Sequence, residues 1–378
     1  MRAEHRITAF PVPRLWPSRA SGASWLRKFT STHESGRAAL YWALHGLGLP
    51  PGTTLWMPSY HCGVEADAAR AAAYDVRFFR VGVNFAIDVE DFHRRFVDRP
   101  GPVLVIHYFG FPQPDLSTIC RFCQDYGCML IEDCAHALFS CDRTGRELGD
   151  LSSLAIFSLR KTLPLVDGGA LRASGPARKP ALDPLATCAY RIYLKTAVRR
   201  AVGARAASAY RSVRWRSDRT RRPVKLDDGG DHQRESYTKP MSRLSEKIAT
   251  GVDPSEVVKR RRENFHSLDD VLQGTREYRP AWNVLPAGTC PLFLPVWVEN
   301  REDVMARMMG NGVETFRFGA SSPHELDARE FPESTTLREK ILCLPIHQDL
   351  EYSEIERIGA TFRTALNAKQ GVAAASAV

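Results

Sequence analysis

The sequence predicts an α/β fold built on a mostly parallel sheet that helices cover on both faces. Segments such as Val103–Tyr108 and Cys128–Ile131 are almost continuously apolar, as strands buried on both faces are. Helical segments separate these strands, which is the order typical of a parallel sheet. The 378 residues also suffice for more than one domain.

The alternation begins with a helix over Arg37–Leu44, which Ser35 is placed to cap and which ends at Gly46. Strands and helices then alternate up to about residue 175. The predicted strands are 54–57, 75–81, 103–108, 128–131, 153–157 and 170–173, and the predicted helices are 67–73 and 116–126.

After residue 175 the regular alternation stops. A helix over 241–249 and a longer one over 254–272 lead to strands 292–298 and 341–346 and to helices 301–309 and 353–368. We therefore predict a large domain over residues 1–252, with a basic insertion at about 189–231. A smaller C-terminal α/β domain follows over residues 253–378, with a disordered tail at 373–378.

The composition, 44% hydrophobic and 25% charged, is ordinary for a globular protein. The chain has no run of eighteen apolar residues, so no transmembrane helix is expected. Its first residues lack the features of a secretion signal. Nine cysteines at irregular spacing fit a reducing compartment, so the predicted location is the cytoplasm.

The net charge of +9 is concentrated in residues 191–225, which contain twelve basic residues and one acid. The rest of the chain is slightly acidic, so we infer no nucleic-acid binding from the overall charge. The segment could lie on an anionic membrane surface, or it could attract a phosphorylated substrate. An ordinary solvated or dimer-face helix is the favoured interpretation.

The strongest functional signal lies in Ile131–His136, followed by Lys161 and the pair Gly168-Gly169. Asp133 stands where a buried strand ends, the usual place for ligand chemistry in an α/β sheet. Pyridoxal 5'-phosphate (PLP) sites need a lysine for the Schiff base and a carboxylate that keeps the pyridine nitrogen protonated. Taken singly, Lys161 would be interpreted as a surface lysine on a loop, and Asp133 equally well as a helix or turn cap, but the combination predicts a PLP enzyme.

Other residues could complete such a site. Ser35, Gly36 and Arg37 open a helix whose free N–H groups and dipole favour a phosphate. Ser158 could add a hydroxyl group to the same phosphate, and His136 could stack on the cofactor ring or bond to it. Each also has a plain structural interpretation, as a helix cap or a buried polar residue.

Together these residues resemble the DegT/DnrJ/EryC1/StrS family of sugar aminotransferases, which are PLP enzymes of fold type I. The resemblance implies a large seven-stranded-type sheet domain, a smaller C-terminal domain and a homodimer. The matching motifs span nearly the whole chain and comprise residues 35–40, 57–60, 107–110, 132–136, 157–158, 161, 168–169 and 344–347.

The resemblance also implies roles for the site residues. Lys161 would form the Schiff base, and Asp133 would contact the pyridine nitrogen. His136 would lie near the ring hydroxyl. The phosphate would be held by Ser158 and by the helix start at Ser35, Gly36 and Arg37.

Several positions depart from the family pattern. The interval from Ser158 to Lys161 is about two residues shorter than usual, and Arg37 replaces a small hydroxyl residue. A stretch that usually reaches the phosphate across the dimer is replaced by 238–240, in which Lys239 could substitute in part.

The residue that stacks on the cofactor is usually aromatic, and its position here falls at Cys62. Tyr60 and His61 stand beside it. Which of the three contacts the ring is left open, and Tyr60 and Cys62 are both taken as cofactor-binding candidates.

Family members that remove a hydroxyl group have histidine where this chain has Lys161, so the lysine favours transamination. We therefore predict an aminotransferase that moves an amino group, expected to come from glutamate, to a nucleotide-linked keto sugar or a related biosynthetic carbonyl. The alternatives are a PLP-dependent dehydratase, an aminotransferase for a non-sugar acceptor, and a catalytically silent PLP-binding relative with a regulatory role.

The cysteines raise the question of a metal site, because Cys120 and Cys123 have zinc-ligand spacing and Cys128 and Cys134 follow. The first two fall one turn apart in a predicted helix, and the other two bracket a buried strand. Small buried hydrophobic residues are the better interpretation, and no metal is predicted.

Overall fold

The structure, a computed structural model, describes residues 6–14, 25–174, 237–319 and 326–367. The predicted basic insertion at 189–231, with its segment 191–225, and the tail at 373–378 lie outside these ranges. Among the described residues no helix is long and apolar enough to cross a membrane.

A seven-stranded sheet organises the first half of the chain, as the resemblance implied. The strands lie in the order β1-β7-β6-β5-β4-β2-β3, and only β7 runs against its neighbours. The strands are β1 (Ser31–His33), β2 (Thr54–Pro58), β3 (Asp75–Phe79), β4 (Val103–Ile106), β5 (Leu130–Asp133), β6 (Leu154–Phe157) and β7 (Gly169–Ala173).

The three central strands β4, β5 and β6 are buried at every position, because helices cover both faces of the sheet. These strands therefore read as apolar runs in the sequence. The helices of this part are α1 (Gly36–Gly46), α2 (Val64–Ala71), α3 (Val89–Phe96), α4 (Leu116–Asp125) and the single turn α5 (Leu159–Thr162).

The second half forms a smaller sheet with helices around it. Here β8 (Phe293–Trp297) pairs antiparallel with β9 (Ile341–Pro345). The helices are α6 (Arg243–Thr250), α7 (Pro254–Leu272), α8 (Arg301–Gly310), α9 (Pro332–Lys340) and α10 (Tyr352–Asn367), and α7 packs on α10 and on β8.

One hydrophobic cluster joins the two halves. It contains Tyr60 and Ile106 from the large sheet together with Phe293, Leu344 and Phe362 from the C-terminal part. The two parts therefore share a core, and the predicted domain boundary at residue 252 stays a prediction.

The sequence analysis missed four short elements, β1, α3, α5 and α9. In α3, Asp88 caps the helix and Phe92 and Phe96 are buried, but eight residues give too little periodicity to separate a helix from a loop. Strand β5 also begins and ends two residues later than predicted, so that Glu132 and Asp133 belong to the strand itself.

Glu132 ties β5 to the loop that precedes β6. Its carboxylate accepts hydrogen bonds from the backbone N–H groups of Gly149, Leu151 and Ser152, from the Ser152 hydroxyl, and from His107 Nε2 at 3.0 Å. Burial would raise the pKa of Glu132, but these donors outweigh it and lower the pKa from 4.5 to about 2. The charged form is therefore favoured in the folded state.

We predict that Glu132→Gln lowers the free energy of unfolding at pH 7 by about 3 kcal/mol, the linkage value of this pKa shift. Because the folded-state pKa is depressed, the contribution is present above pH 4.5 and is lost as the pH falls towards 2. Urea unfolding at pH 7 and pH 3 should therefore show a smaller difference between variant and wild type at pH 3. Exposed Glu339→Gln serves as the control, and an equal difference at both pH values would contradict this account.

Candidate active site

The predicted site residues meet at the carboxyl ends of β5 and β6. Asp133 is the last residue of β5, and His136 lies in the turn that follows. Ser158 follows β6, and Lys161 lies in the single turn α5. This edge of a parallel sheet is where side chains from separate strands converge on a ligand.

Lys161 contacts His136 directly, with 3.0 Å between Nζ and Nε2. The imidazole is buried and stacks on the Phe109 ring at 5.5 Å, and its Nδ1 accepts from the Phe109 N–H at 3.4 Å. Burial, and then the charge of Lys161, lower the pKa of His136 well below its usual range. The ring is therefore a neutral, fixed contact for the lysine.

Asp133 has little compensation for its charge. One carboxylate oxygen accepts from the Ala135 N–H at 2.8 Å. Burial and the nearby carboxylate of Glu65 raise the pKa of Asp133, while the Ala135 N–H and Lys161 oppose the increase. A cationic N–H group bound here would supply the missing partner.

The start of α1 forms a close cradle with β7 and Ser158. Ser35 caps the helix and accepts from the Ala38 N–H at 3.2 Å. A Cβ atom on Gly169 would lie 2.1 Å from the Ser35 carbonyl, and one on Gly36 would lie 3.2 Å from Ser158 Cβ. The approach at Gly169 requires glycine, and the close contact at Gly36 brings the start of α1 next to Ser158.

Arg37 follows in the first turn of α1. Its Nε is buried without a hydrogen-bond partner among the described residues. In the same region the Lys239 carbonyl accepts from the Glu34 N–H at 3.0 Å, so residues 237–240 of the same chain run beside the start of α1.

Of the three candidates for the ring contact, Cys62 is the one with exposed surface. Tyr60 has no exposed surface and packs in the shared core against Tyr108 and Phe318. His61 is likewise buried and stacks on Phe78 at 5.2 Å. The cofactor contact expected of Tyr60 stays a prediction.

Cys62 is partly exposed, and its thiol donates to the Glu65 carboxylate at 3.0 and 3.1 Å. Burial and Glu65 raise the pKa of this thiol, whereas the charge of Lys161 lowers it. The thiol, the Glu65 carboxylate and Lys161 therefore lie near one another.

The sequence analysis missed Glu65. Its side chain is buried in the first turn of α2, a position at which an exposed acid is common. The only signal in the sequence was an acid within an otherwise small and apolar stretch, and that signal does not distinguish a site residue from a helix end.

His107, Glu132 and Cys134 bring three potential metal ligands within 4.8 Å of one another. Glu132 is already saturated with donors, and His107 Nδ1 accepts from the Gln113 N–H at 3.2 Å. Protein hydrogen bonds thus occupy the ligand atoms of His107 and Glu132. Cys123 lies in a hydrophobic cluster with Cys120 packed against it.

Comparison with known proteins gives a family and a fold. Residues 25–191 match the DegT/DnrJ/EryC1/StrS aminotransferase family. The GDP-perosamine synthase of Vibrio cholerae is 26% identical over 145 residues, which are 38% of this chain and 39% of that protein. The dTDP-4-dehydro-2,3,6-trideoxy-D-glucose 4-aminotransferase of Saccharopolyspora spinosa is 33% identical over 147 residues, 38% of this chain and 37% of that protein. The chain thus spans about two fifths of the length of these relatives.

Among solved structures, the aminotransferase TlmJ from Streptoalloteichus hindustanus superposes with a TM-score of 0.65 over 90% of this chain and 86% of its own, at 22% identity. PseC of Helicobacter pylori, an aminotransferase of pseudoaminic acid biosynthesis, superposes with a TM-score of 0.68 over 96% of this chain and 100% of its own, at 12% identity. Residues 25–191 thus match the predicted family, and the predicted fold is confirmed.

We predict that Asp133→Asn changes how stability depends on pH in the cofactor-free protein. The pKa of Asp133 is raised in the folded state, so its contribution is fully present below pH 3.8 and is lost as the pH rises through the folded-state pKa. The variant lacks this loss, so its free energy of unfolding should gain on that of the wild type as the pH rises from 4 to 8. Glu65→Gln should reduce the same pH dependence, and parallel curves for all three proteins would contradict the assignment.

Proposed function

Residues 25–191 carry the sequence of a DegT/DnrJ/EryC1/StrS aminotransferase, and from this premise we propose that the protein is a PLP-dependent aminotransferase. It moves an amino group, from glutamate, to a nucleotide-linked keto sugar or a related biosynthetic carbonyl. The observation that carries the proposal is the contact of Lys161 with the buried His136, beside a buried Asp133 that forms no ion pair within the described residues.

The residues present fit PLP. The cradle of Gly36, Gly169 and Ser158 suits the phosphate, because it combines a helix N-terminus with a hydroxyl group and excludes any side chain. Asp133 suits the protonated pyridine nitrogen, since the two charges compensate each other in a buried place. When bound, PLP supplies an electron sink for the negative charge that develops on the substrate carbon.

The chain contributes positioning and proton transfer. Lys161 would hold the cofactor covalently through its Nζ, and the same Nζ would serve as the base and acid that takes up and returns the proton of the substrate carbon. His136 holds Nζ on one side of the site. Cys62 borders the same space, where relatives of the family usually have an aromatic residue.

Two alternatives remain distinguishable by experiment. Lys161 argues against the dehydratase, while a non-sugar acceptor would retain every residue of the site. A catalytically silent relative would bind PLP, and glutamate would leave its visible absorbance unchanged. A panel of nucleotide-linked keto sugars and other carbonyls, offered to the glutamate-treated protein, would identify the acceptor class.

We also propose a homodimer, because in this fold the site lies at the subunit interface. Residues 237–240, whose counterpart in the family reaches the phosphate across the dimer, lie here beside the start of α1 in their own chain, so the proposal rests on the fold alone. Light scattering should give twice the chain mass of 42.3 kDa, and a monomer only would count against the site.

We predict that Lys161→Ala abolishes turnover and the visible absorbance of covalently held PLP, because no other lysine of the described chain is placed in the site. Activity is measured with glutamate and the acceptor panel, and absorbance after addition of PLP. Lys247→Ala on α6 is the control. Transamination retained by Lys161→Ala would refute the assignment.

We predict that Gly169→Ala weakens PLP binding at least tenfold, because its Cβ would push the start of α1 away from Ser158. Gly310→Ala is the matched control, since a Cβ there meets nothing within 4 Å. Fluorescence titration gives the PLP dissociation constant, and circular dichroism confirms that the variant is folded. Equal PLP affinity in both variants would place the phosphate elsewhere.

A further inference from the structure

Arg261 is a charged residue with no exposed surface, in the middle of α7. Its guanidinium donates to Gln348 Oε1 at 2.8 Å and to the carbonyl oxygens of Thr162, Leu292 and Pro291 at 3.0, 3.0 and 3.2 Å. None of these acceptors is a carboxylate.

Burying a charge that forms no ion pair among the described residues is expensive, even with its N–H groups satisfied. Burial accordingly lowers the pKa of Arg261 below its usual range. A well-packed apolar side chain would serve stability at least as well in such a place. Packing alone therefore does not explain an arginine at this position. The acceptors of the guanidinium indicate which part of the protein it supports.

One of these acceptors is the residue next to the proposed nucleophile. Thr162 ends α5, and its carbonyl accepts from Arg261 Nη2 and from Gln348 Nε2, each at 3.0 Å. Gln348 lies after β9, and its Oε1 accepts a hydrogen bond from Arg261 Nε at 2.8 Å. Two donors from the C-terminal part thus converge on one carbonyl of the lysine turn.

The turn needs such support because it cannot hold its own shape. A helix of four residues is not stable by itself, and Ser158 provides no side-chain cap to α5. Within the turn, the Leu163 N–H donates to the Leu159 carbonyl at 2.8 Å. Thr162 is the last residue of the turn, so its carbonyl has no donor inside the turn and is bound by outside donors.

We propose that Arg261 and Gln348 are positioning residues that clamp the Thr162 carbonyl and so hold Lys161 in place to react with the cofactor aldehyde. The proposal rests on the proposed function and deepens it. It makes the C-terminal part a component of the lysine site, although neither residue touches the reacting atoms. Displacing a reacting group by about 1 Å can cost a hundredfold in rate, so loss of one donor should be measurable.

The test separates covalent attachment of the cofactor from its non-covalent binding. With PLP, the rate at which visible absorbance appears depends on both binding and attachment. Its analogue 4'-deoxypyridoxine 5'-phosphate lacks the aldehyde, so its dissociation constant reports the phosphate and pyridine contacts alone. Gln348→Met removes one donor to Thr162, and Arg261→Met removes the other.

For both variants we expect attachment of PLP to slow about tenfold, while the affinity for the analogue stays within twofold of wild type. Arg262→Met is the matched control, because this neighbouring arginine donates to the carbonyls of Pro286 and Thr289, away from α5. Its attachment rate should equal that of the wild type.

Gln348→Glu keeps the acceptor for Arg261 but loses the donor to Thr162, so it should also attach PLP slowly. Should Arg261→Met fail to fold, the two Gln348 variants still decide the question. Unchanged attachment, or attachment and analogue affinity that fall together, would overturn the proposal. A wild-type protein that never develops visible absorbance with PLP would instead overturn the proposed function.

Discussion

Strand β5 ends in two successive buried carboxylates, Glu132 and Asp133. The rest of the site depends on the difference in their hydrogen bonding, which shifts their pKa values in opposite directions. Consecutive strand residues point to opposite faces of a sheet, so Glu132 and Asp133 meet different surroundings. Glu132 receives five hydrogen bonds, and its pKa is lowered to about 2. Asp133 receives one from Ala135, and burial with the nearby Glu65 raises its pKa.

This contrast separates a structural acid, Glu132, from Asp133, the acid proposed to contact the pyridine nitrogen. The Glu132 carboxylate, with all of its hydrogen bonds made, holds the loop 149–152 against the end of β5. The charged form of Asp133 is disfavoured because few groups compensate its charge, and a cationic ring nitrogen beside it would offset that cost. A protonated ligand is therefore electrostatically favoured at this position.

The remaining parts of the site come from distant segments held by backbone contacts. Gly169 brings β7 against the Ser35 carbonyl, and residues 237–240 lie along the start of α1. Arg261 and Gln348 reach the lysine turn from the C-terminal part. A short α5 is compatible with a fixed Lys161 because its stability comes from these outside donors. At the position of Cys62 the family usually has an aromatic residue, whereas this chain has a thiol bonded to the Glu65 carboxylate.

How far the sequence alone could go is clear from particular residues. The buried strands, the order of elements, and the identities of Asp133, Lys161 and the Ser35–Arg37 helix start were readable, because apolar runs, caps and short motifs depend on neighbours in the chain. The contact of Lys161 with His136, the burial of Tyr60, and the contacts of Glu65 and Arg261 could not be predicted from the sequence. Each depends on side chains tens to hundreds of residues apart, whose charges and donors meet only when the sheet is assembled and water is excluded. The sequence by itself thus determined which reactive residue types are present, because short motifs depend on neighbours in the chain. Their pKa shifts and their relative positions were decided only by the tertiary structure.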